Sequence, residues 1–160
     1  MSTLTPDILF HAPAPLDAEH DELHRELSAL LQAPGEVGGA ARELARRLHE
    51  HFDVEQELAM PLLGLLPALA DGVVVPEMAR AIEKARRLES ALPLMLQEHV
   101  AILDALETLA ASAQITGRDD VLAFVEKLKL HVRTEEAVLY PAALLIGRYL
   151  DCRLGPLARR

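Results

Sequence analysis

The stretches HFDVEQELAMP (51–61) and HVRTEEAVLYP (131–141) are two versions of one pattern, 80 positions apart in the chain. Each begins with a histidine, has a glutamate four residues later and ends in a proline ten residues after the histidine. A second pair of stretches, EHDELHRELSAL (19–30) and EHVAILDALETL (98–109), precedes them at nearly the same offset. The sequence therefore predicts one helix-pair design that is used twice.

The composition favours helices throughout the chain. Hydrophobic residues make up 51% of the 160 residues and aromatic residues 3%, and most of the hydrophobic residues are Leu and Ala. Leu, Ala, Glu and Arg are strong helix formers, whereas the β-branched and aromatic residues typical of strands are scarce. A chain of this length is large enough to form one domain with its own core. We therefore expect a single all-α domain.

Proline and glycine residues divide the chain into four segments of helix length, roughly 16–33, 39–67, 76–113 and 118–148. Pro93 lies inside the third segment and predicts a kink or a break there, because proline lacks a backbone donor. Short connections favour antiparallel neighbours, so we predict an up-down-up-down four-helix bundle with an internal two-fold repeat. The bundle is expected to span residues 16–148, between an N-terminal arm at 1–15 and a C-terminal tail at 149–160.

Charge and composition exclude several classes of partner. The formal net charge of −9 argues against nucleic acid, whose binding depends on neutralising phosphates with Lys and Arg. No apolar run has the length of a membrane span, and the N-terminus lacks the basic and apolar segments of a signal peptide. A single cysteine, Cys152, excludes an internal disulfide or a thiolate cluster. We expect a cytoplasmic protein without a membrane partner, either monomeric or homodimeric.

The hydrophobic periodicity predicts which residues of each helix face the core. In the second helix the inward positions are Leu44, Leu48, His51, Glu55, Leu58, Leu62 and Leu65. In the fourth helix they are Phe124, Leu128, His131, Glu135, Val138, Ala142 and Leu145. This spacing of three and four residues is typical of helices packed in a bundle. His20 and His99 occupy inward positions of the first and third helices, so histidine and glutamate stand where a plain bundle has leucine.

Six polar residues on inward stripes form a candidate set of metal ligands: His20, His51, Glu55, His99, His131 and Glu135. A buried carboxylate is costly unless it is paired or bound to a cation. The simplest arrangement is two metal ions, each with two imidazoles, bridged by both glutamates. We expect each copy of the repeat to form one half-site. Ligation by nitrogen and oxygen without sulfur suits iron or manganese, with zinc as an alternative, and leaves positions for water, an oxo or hydroxo bridge, or a small ligand.

These motifs resemble the hemerythrin-like, HHE cation-binding domain family. The resemblance covers residues 16–148 and rests on the two His-x-x-x-Glu stretches and the EH-led helices. It implies a four-helix bundle around a non-haem di-iron centre, with the six residues above at the ligand positions. Members of this family bind or sense oxygen, nitric oxide or iron, and some assist the repair of iron–sulfur centres.

The chain is closest in pattern to a symmetric subgroup of that family, with four histidines and two glutamates. Oxygen-carrying hemerythrins have a second histidine on the third helix, but Met95 and Leu103 occupy the positions four residues before and after His99. Iron-centre repair proteins usually carry a cysteine-bearing N-terminal domain, for which fifteen residues leave no room. Reversible oxygen carriage and a complete repair function are therefore both disfavoured.

Several residues near the predicted site have two interpretations. His24 follows His20 by four residues, so it is either a fifth imidazole ligand or, as we favour, a residue behind the ligands or at the rim. Glu19, Glu98 and Glu136 adjoin the candidate ligands but point off the bundle axis, which predicts that they are solvated or salt-bridged. Phe52 and Tyr140 flank the stripes, and core packing is favoured over a role in lining a small-molecule path.

Three functions are compatible with a four-helix bundle that carries these six candidate ligands. The first is a di-iron protein that binds or senses oxygen, nitric oxide or hydrogen peroxide, or that handles iron. The second is an iron-responsive binding or adaptor module, in which metal occupancy orders the bundle, or a partial iron-centre repair protein. The third and least favoured is a metal-free structural bundle. No catalytic residue is predicted apart from the ligands, so weak redox activity of the metals is the one enzymatic activity considered.

Overall fold

A computed structural model describes residues 10–158 of the chain, with side chains to residue 155. The four long helices of the bundle are α1 (Ala14–Leu30), α2 (Gly35–Leu58), α5 (Arg80–Thr116) and a fourth rod. That rod consists of α6 (Asp119–Thr134), a π-helical turn (Glu135–Leu139) and α7 (Tyr140–Ala158). The connection between α2 and α5 contains α3 (Met60–Leu63), α4 (Leu66–Ala70) and a 3₁₀ turn (Pro76–Ala79). The predicted all-α four-helix bundle is confirmed.

Proline marks where several helices begin, and Gly117 marks where the longest one ends. The predicted segment 39–67 is not one helix, because Pro61 and Pro67 lie in the first turns of α3 and α4. Proline is tolerated in a first turn, where its missing N–H would have no helical acceptor. Gly117 ends α5 in the left-handed conformation, with φ of 66°. Helix α5 runs through Pro93 as one helix, so of the predicted kink or break, the break is wrong.

The π-helical turn changes which residues of the fourth rod face inward. Val138 and Leu145 were predicted to be buried, but they are 56% and 66% exposed. A π turn places one extra residue between successive inward positions, so every later position rotates around the rod. The buried residues after the turn are Tyr140, Ala143, Ile146, Leu150 and Leu154. The stripe predicted from a constant helical period is therefore correct up to Glu135 and wrong beyond it.

The fourth rod also extends further than the sequence predicted. Helix α7 continues to Ala158, past the expected end of the bundle at residue 148. Leu150 and Leu154 are buried in the core, so the hydrophobic face continues into what was predicted to be a tail. Of the predicted N-terminal arm and C-terminal tail, residues 1–9 and 159–160 lie outside the described residues.

The apolar core consists of two clusters separated by a polar layer. One cluster contains Leu44, Leu106 and Leu128, and the other contains Leu62, Leu88 and Ile146. Glu55, His99 and Glu135 fall between the two clusters in sequence, and His51 and His131 each lie one residue before the neighbouring member of the first cluster. Apolar packing on both sides holds this layer away from water.

Helix α7 lies very close to α5 in the second cluster. A Cβ atom added to Gly147 would lie 2.1 Å from the Ala85 Cβ atom, so a side chain at this position would clash. No helix in the described part of the chain combines the length and apolar character needed to cross a membrane.

Candidate metal centre

All six candidate ligands lie in the polar layer, and each is at most 6% exposed. His20 comes from α1, His51 and Glu55 from α2, His99 from α5, His131 from α6 and Glu135 from the start of the π turn. The fold thus brings together six residues from the four long helical elements, and the periodicity predicts that all six face the core.

The donor atoms form two groups that are compact enough to hold a metal ion. The first group contains His20, Glu55, His131 and Glu135, and the second contains His51, His99 and Glu135. Within each group the donor atoms lie within 4.8 Å of one another. Glu135 belongs to both groups: its Oε1 atom is 2.5 Å from His131 Nε2 and its Oε2 atom is 3.1 Å from His99 Nε2. One carboxylate therefore links the two candidate positions.

The histidines pair between the copies of the repeat rather than within them. The Nε2 atoms of His20 and His131 are 3.1 Å apart, and those of His51 and His99 are 3.0 Å apart. The expectation that each copy forms its own half-site is therefore wrong. Helix α2 packs along α5, and α1 contacts α6. These neighbours belong to different copies, so each group takes one histidine from each copy.

Three candidate ligands are oriented by glutamates behind them. The ring Nδ1 atom donates a hydrogen bond to a carboxylate in the pairs His51–Glu98 at 3.0 Å, His99–Glu136 at 2.8 Å and His131–Glu19 at 3.1 Å. Such a bond fixes the ring and leaves Nε2 free to bind a metal, as carboxylate–histidine–metal arrangements do. Each of these glutamates, expected to be solvated or salt-bridged, is hydrogen-bonded to the ring of a candidate ligand.

His20 lacks this kind of support. The repeat places Gln56 at the position equivalent to Glu136, and the Gln56 amide donates to Asp17 at 3.2 Å. Within the described chain no carboxylate accepts a hydrogen bond from His20 Nδ1. In the second group both histidines are hydrogen-bonded to a glutamate, whereas in the first group one of the two is. The two groups therefore differ in these supporting hydrogen bonds as well as in their donor residues.

Comparison with known proteins agrees with this geometry. A family model described as the hemerythrin HHE cation binding domain matches residues 11–143. The chain belongs to this family. No curated protein and no solved structure gave a match. Membership of the hemerythrin HHE family, together with the buried histidines and glutamates, identifies a metal-binding four-helix bundle.

The carboxylates of this hemerythrin-type core behave as expected for a cation site. Both oxygens of Glu55 are buried, and among the described residues neither makes a hydrogen bond of good geometry, although Glu135 and Tyr140 lie beside them. Burial and the neighbouring Glu135 raise the pKa of Glu55 well above its usual value. Burial also opposes ionisation of Glu135, but hydrogen bonds from the histidines, chiefly His131, hold the pKa of Glu135 well below its usual range. A cation would satisfy the orphaned oxygens, so the residues present fit a metal centre.

Burial and the neighbouring carboxylates also shift the pKa values of three of the candidate histidines. Burial lowers the pKa of His51. Burial acts in the same direction on His99 and His131, but hydrogen bonds with Glu135 outweigh it and raise the pKa of both. Metal binding requires neutral imidazole, so the raised pKa values of His99 and His131 make protons stronger competitors of the metal at these two rings.

Tyr140 is a residue of the centre that the sequence did not assign to it. Its hydroxyl oxygen lies 3.3 Å from the Nε2 atoms of both His51 and His99, and its ring stacks on His99 with centroids 5.7 Å apart. Burial raises the pKa of the phenol far above its usual value. The expectation of core packing describes its ring, but the hydroxyl points into the second group because the π turn rotates Tyr140 inward.

His24 and Phe52 lie outside the two groups. His24 is exposed and packs edge-on against Phe52, with ring centroids 4.8 Å apart. The structure does not bring His24 to the other donor atoms, although it had been considered as a fifth ligand. Phe52 is buried in the core and also contacts the His20 ring at 4.9 Å, so it combines the packing and lining roles.

We predict that Glu98→Gln weakens metal binding without unfolding the bundle. The amide keeps the size of the carboxylate but cannot polarise the His51 ring to the same degree, and losses of about 10–100-fold in affinity are typical of such partners. Competition with a chelator of known affinity measures the change. Glu83→Gln, an exposed substitution on the same helix, is the matched control. Equal affinities of the two variants would contradict a role for Glu98 at the centre.

Proposed function

We propose that the protein holds two iron ions in the polar layer and uses their remaining coordination positions to bind a diatomic molecule or peroxide. The observation that supports this most directly is the pair of donor groups joined by Glu135. The first group offers four residues and the second offers three, which is fewer than the six positions of an octahedral ion. When bound, the iron ions would supply the redox chemistry and the open positions, as metals do in such sites.

The donor set supports iron over softer metals. All candidate ligands are imidazoles or carboxylates, and the one cysteine, Cys152, is exposed on α7. Imidazole suits iron, copper and zinc, whereas carboxylates favour harder ions, so a mixed set favours iron or manganese, with zinc as a competitor. We place the protein in the cytoplasm, where exposed thiols stay reduced.

The chain's own residues would hold and insulate the metals. Glu98, Glu136 and Glu19 fix three of the imidazole rings, and the two apolar clusters exclude water from both sides of the layer. Exclusion of water strengthens every charge interaction within the centre. A small ligand would therefore meet a preorganised site rather than a hydrated one.

A surface cavity borders His20, one of the donors of the first group. A cavity of about 360 Å³ has His20 in its wall, together with Asp17, Asp21, His24, Phe52, Asp53 and Gln56. The volume admits diatomic molecules and peroxide with room to spare. The three aspartates make its rim acidic, which favours neutral ligands and cations over anions.

The decisive experiment is anaerobic purification from iron-replete cells, metal quantification, and visible spectra before and after exposure to air and to nitric oxide. We expect about two metal ions per chain and a spectral change on exposure to at least one of these ligands. Less than one metal ion per chain would refute the di-metal site. Two metal ions with no response to oxygen, nitric oxide or peroxide would refute ligand binding while leaving the metal site intact.

A second function, an iron-responsive module, is favoured by one observation. Neither buried oxygen of Glu55 makes a hydrogen bond of good geometry within the described chain, and burial disfavours ionisation of this carboxyl group, so a metal that binds it would stabilise the core. A module of this kind would change mainly in stability with iron and would be silent to diatomic ligands. The spectra described above therefore distinguish it from a ligand-binding protein.

A further inference from the structure

We propose that the phenol oxygen of Tyr140 is a protein donor to the metal held by His51, His99 and Glu135. The inference rests on the metal centre of the proposed function and adds a ligand to it. It makes the two metal positions chemically different, because the first has Glu55 where the second has a tyrosine oxygen. This difference is not visible in the nearly symmetric set of histidines and glutamates.

The position of the hydroxyl supports a donor role. Tyr140 is 1% exposed, and its oxygen is 3.3 Å from each of the two Nε2 atoms that a metal in the second group would bind. A single oxygen equidistant from both imidazole donors is within reach of a metal bound to both rings, and it also lies beside the Glu55 carboxyl group. With Tyr140 included, the second group has four donor residues, as the first group does.

Metal binding would remove the two imidazole partners of the hydroxyl. Once a metal occupies the lone pairs of His51 Nε2 and His99 Nε2, these atoms no longer accept a hydrogen bond from Tyr140. The Glu55 carboxyl group remains beside the hydroxyl as a hydrogen-bond partner. The geometry that pairs the hydroxyl with both imidazoles also brings its oxygen within reach of a metal bound between them, so a metal–oxygen bond would replace the two lost contacts.

The two copies of the repeat differ at the position of Tyr140. The residue equivalent to Tyr140 in the first copy is Met60, which is buried but carries a thioether in place of an oxygen donor. The π turn Glu135–Leu139 precedes Tyr140, whereas the first copy is interrupted at Ala59 between α2 and α3. The second copy therefore has both the tyrosine side chain and the π turn that rotates it towards the metal centre.

Ligation breaks the phenol O–H bond and forms a metal–oxygen bond, with no change of oxidation state. The proton passes to the solvent buffer, so loading should release about one proton more per chain than in a variant without the phenol. With ferric iron, a bound phenolate gives a charge-transfer band in the visible and enhanced ring vibrations in the resonance Raman spectrum. A tyrosine that merely packs beside the metal gives neither signal.

The test compares the wild-type chain with Tyr140→Phe and Tyr149→Phe, each loaded with ferric iron. Phenylalanine retains the ring that packs on His99, and Tyr149, the chain's other tyrosine, is partly exposed and accepts a hydrogen bond from Arg153. Metal content and far-ultraviolet circular dichroism verify loading and folding in all three proteins. The phenolate band and ring vibrations should be present in the wild-type and Tyr149→Phe proteins and absent from Tyr140→Phe.

The outcomes separate this inference from the proposed function. Two bound iron ions without a phenolate band in the wild-type protein, or a band that persists in Tyr140→Phe, would overturn ligation by Tyr140 and leave the di-iron centre standing. Less than one iron ion per chain in the wild-type protein would overturn the di-iron centre, and ligation by Tyr140 with it.

Discussion

Glu135→Gln should reduce the metal content to less than one ion per chain, whereas Glu55→Gln should leave about one. Glu135 belongs to both donor groups, but Glu55 belongs to the first group alone. An amide offers a neutral oxygen in place of a charged one, so both positions lose their shared anionic donor in the first variant. In the second variant His51, His99 and Glu135 are unchanged, and the metal at the second group should remain.

Metal analysis after loading with two equivalents of iron measures this difference. Since loss of an outer partner alone costs about 10–100-fold in affinity, loss of the shared ligand should cost more than about 100-fold. Glu50→Gln, an exposed substitution on the same helix as Glu55, is the control and should bind metal as the wild-type protein does. Equal metal contents of the Glu135 and Glu55 variants would contradict the unequal sharing seen in the two groups.

The sequence was informative about the centre because polar residues on an apolar stripe are visible without any structure. His51 and Glu55 repeat as His131 and Glu135, in positions where the period of three and four residues otherwise gives leucine, valine or phenylalanine. A buried carboxylate needs a partner, so a ligand set followed from burial alone. The structure places all of these residues in one layer, each at most 6% exposed.

The residues after Glu135 could not be predicted in the same way. A π turn adds one residue to the repeat, and nothing in the alternation of apolar and polar residues at 135–139 marks its position. Val138 and Leu145 are as hydrophobic as the residues that replace them in the core, so the sequence does not distinguish the two registers. The inward hydroxyl of Tyr140 depends on the register that the structure adopts.

The pairing of the histidines and the glutamates behind them depend on tertiary contacts. The i, i+4 rule places His51 and Glu55 on one face of α2 but does not say which helix lies opposite each of them. His51 meets His99, while Glu55 joins His20 and His131. A glutamate beside a histidine in sequence, as in the EH-led helices, was the available signal for the supporting carboxylates, and it did not indicate which ring each one would contact.

Glu55→Leu should make the metal-free protein more stable while weakening its response to iron. The Glu55 side chain is fully buried, neither oxygen makes a hydrogen bond of good geometry within the described chain, and leucine has a similar volume. Burial and Glu135 disfavour the charged form of Glu55, and a buried polar group without a well-aligned hydrogen-bond partner typically costs about 1–3 kcal/mol, which leucine removes. For a chain of this size, a gain of about 2 kcal/mol raises the Tm by roughly 4–8 °C.

Urea denaturation of the chelated proteins measures the stability of the metal-free forms. The same titration in the presence of iron measures how much iron stabilises each protein. Each tenfold loss of iron affinity removes about 1.4 kcal/mol of metal-dependent stabilisation, so the order of stability of wild-type and variant proteins should reverse when iron is added. Glu50→Leu, at an exposed site on the same helix, should change stability by less than about 0.5 kcal/mol in either state. A metal-free Glu55→Leu protein that is less stable than the wild type would mean that Glu55 is already compensated without metal, and the role of iron in relieving buried charge would have to be abandoned.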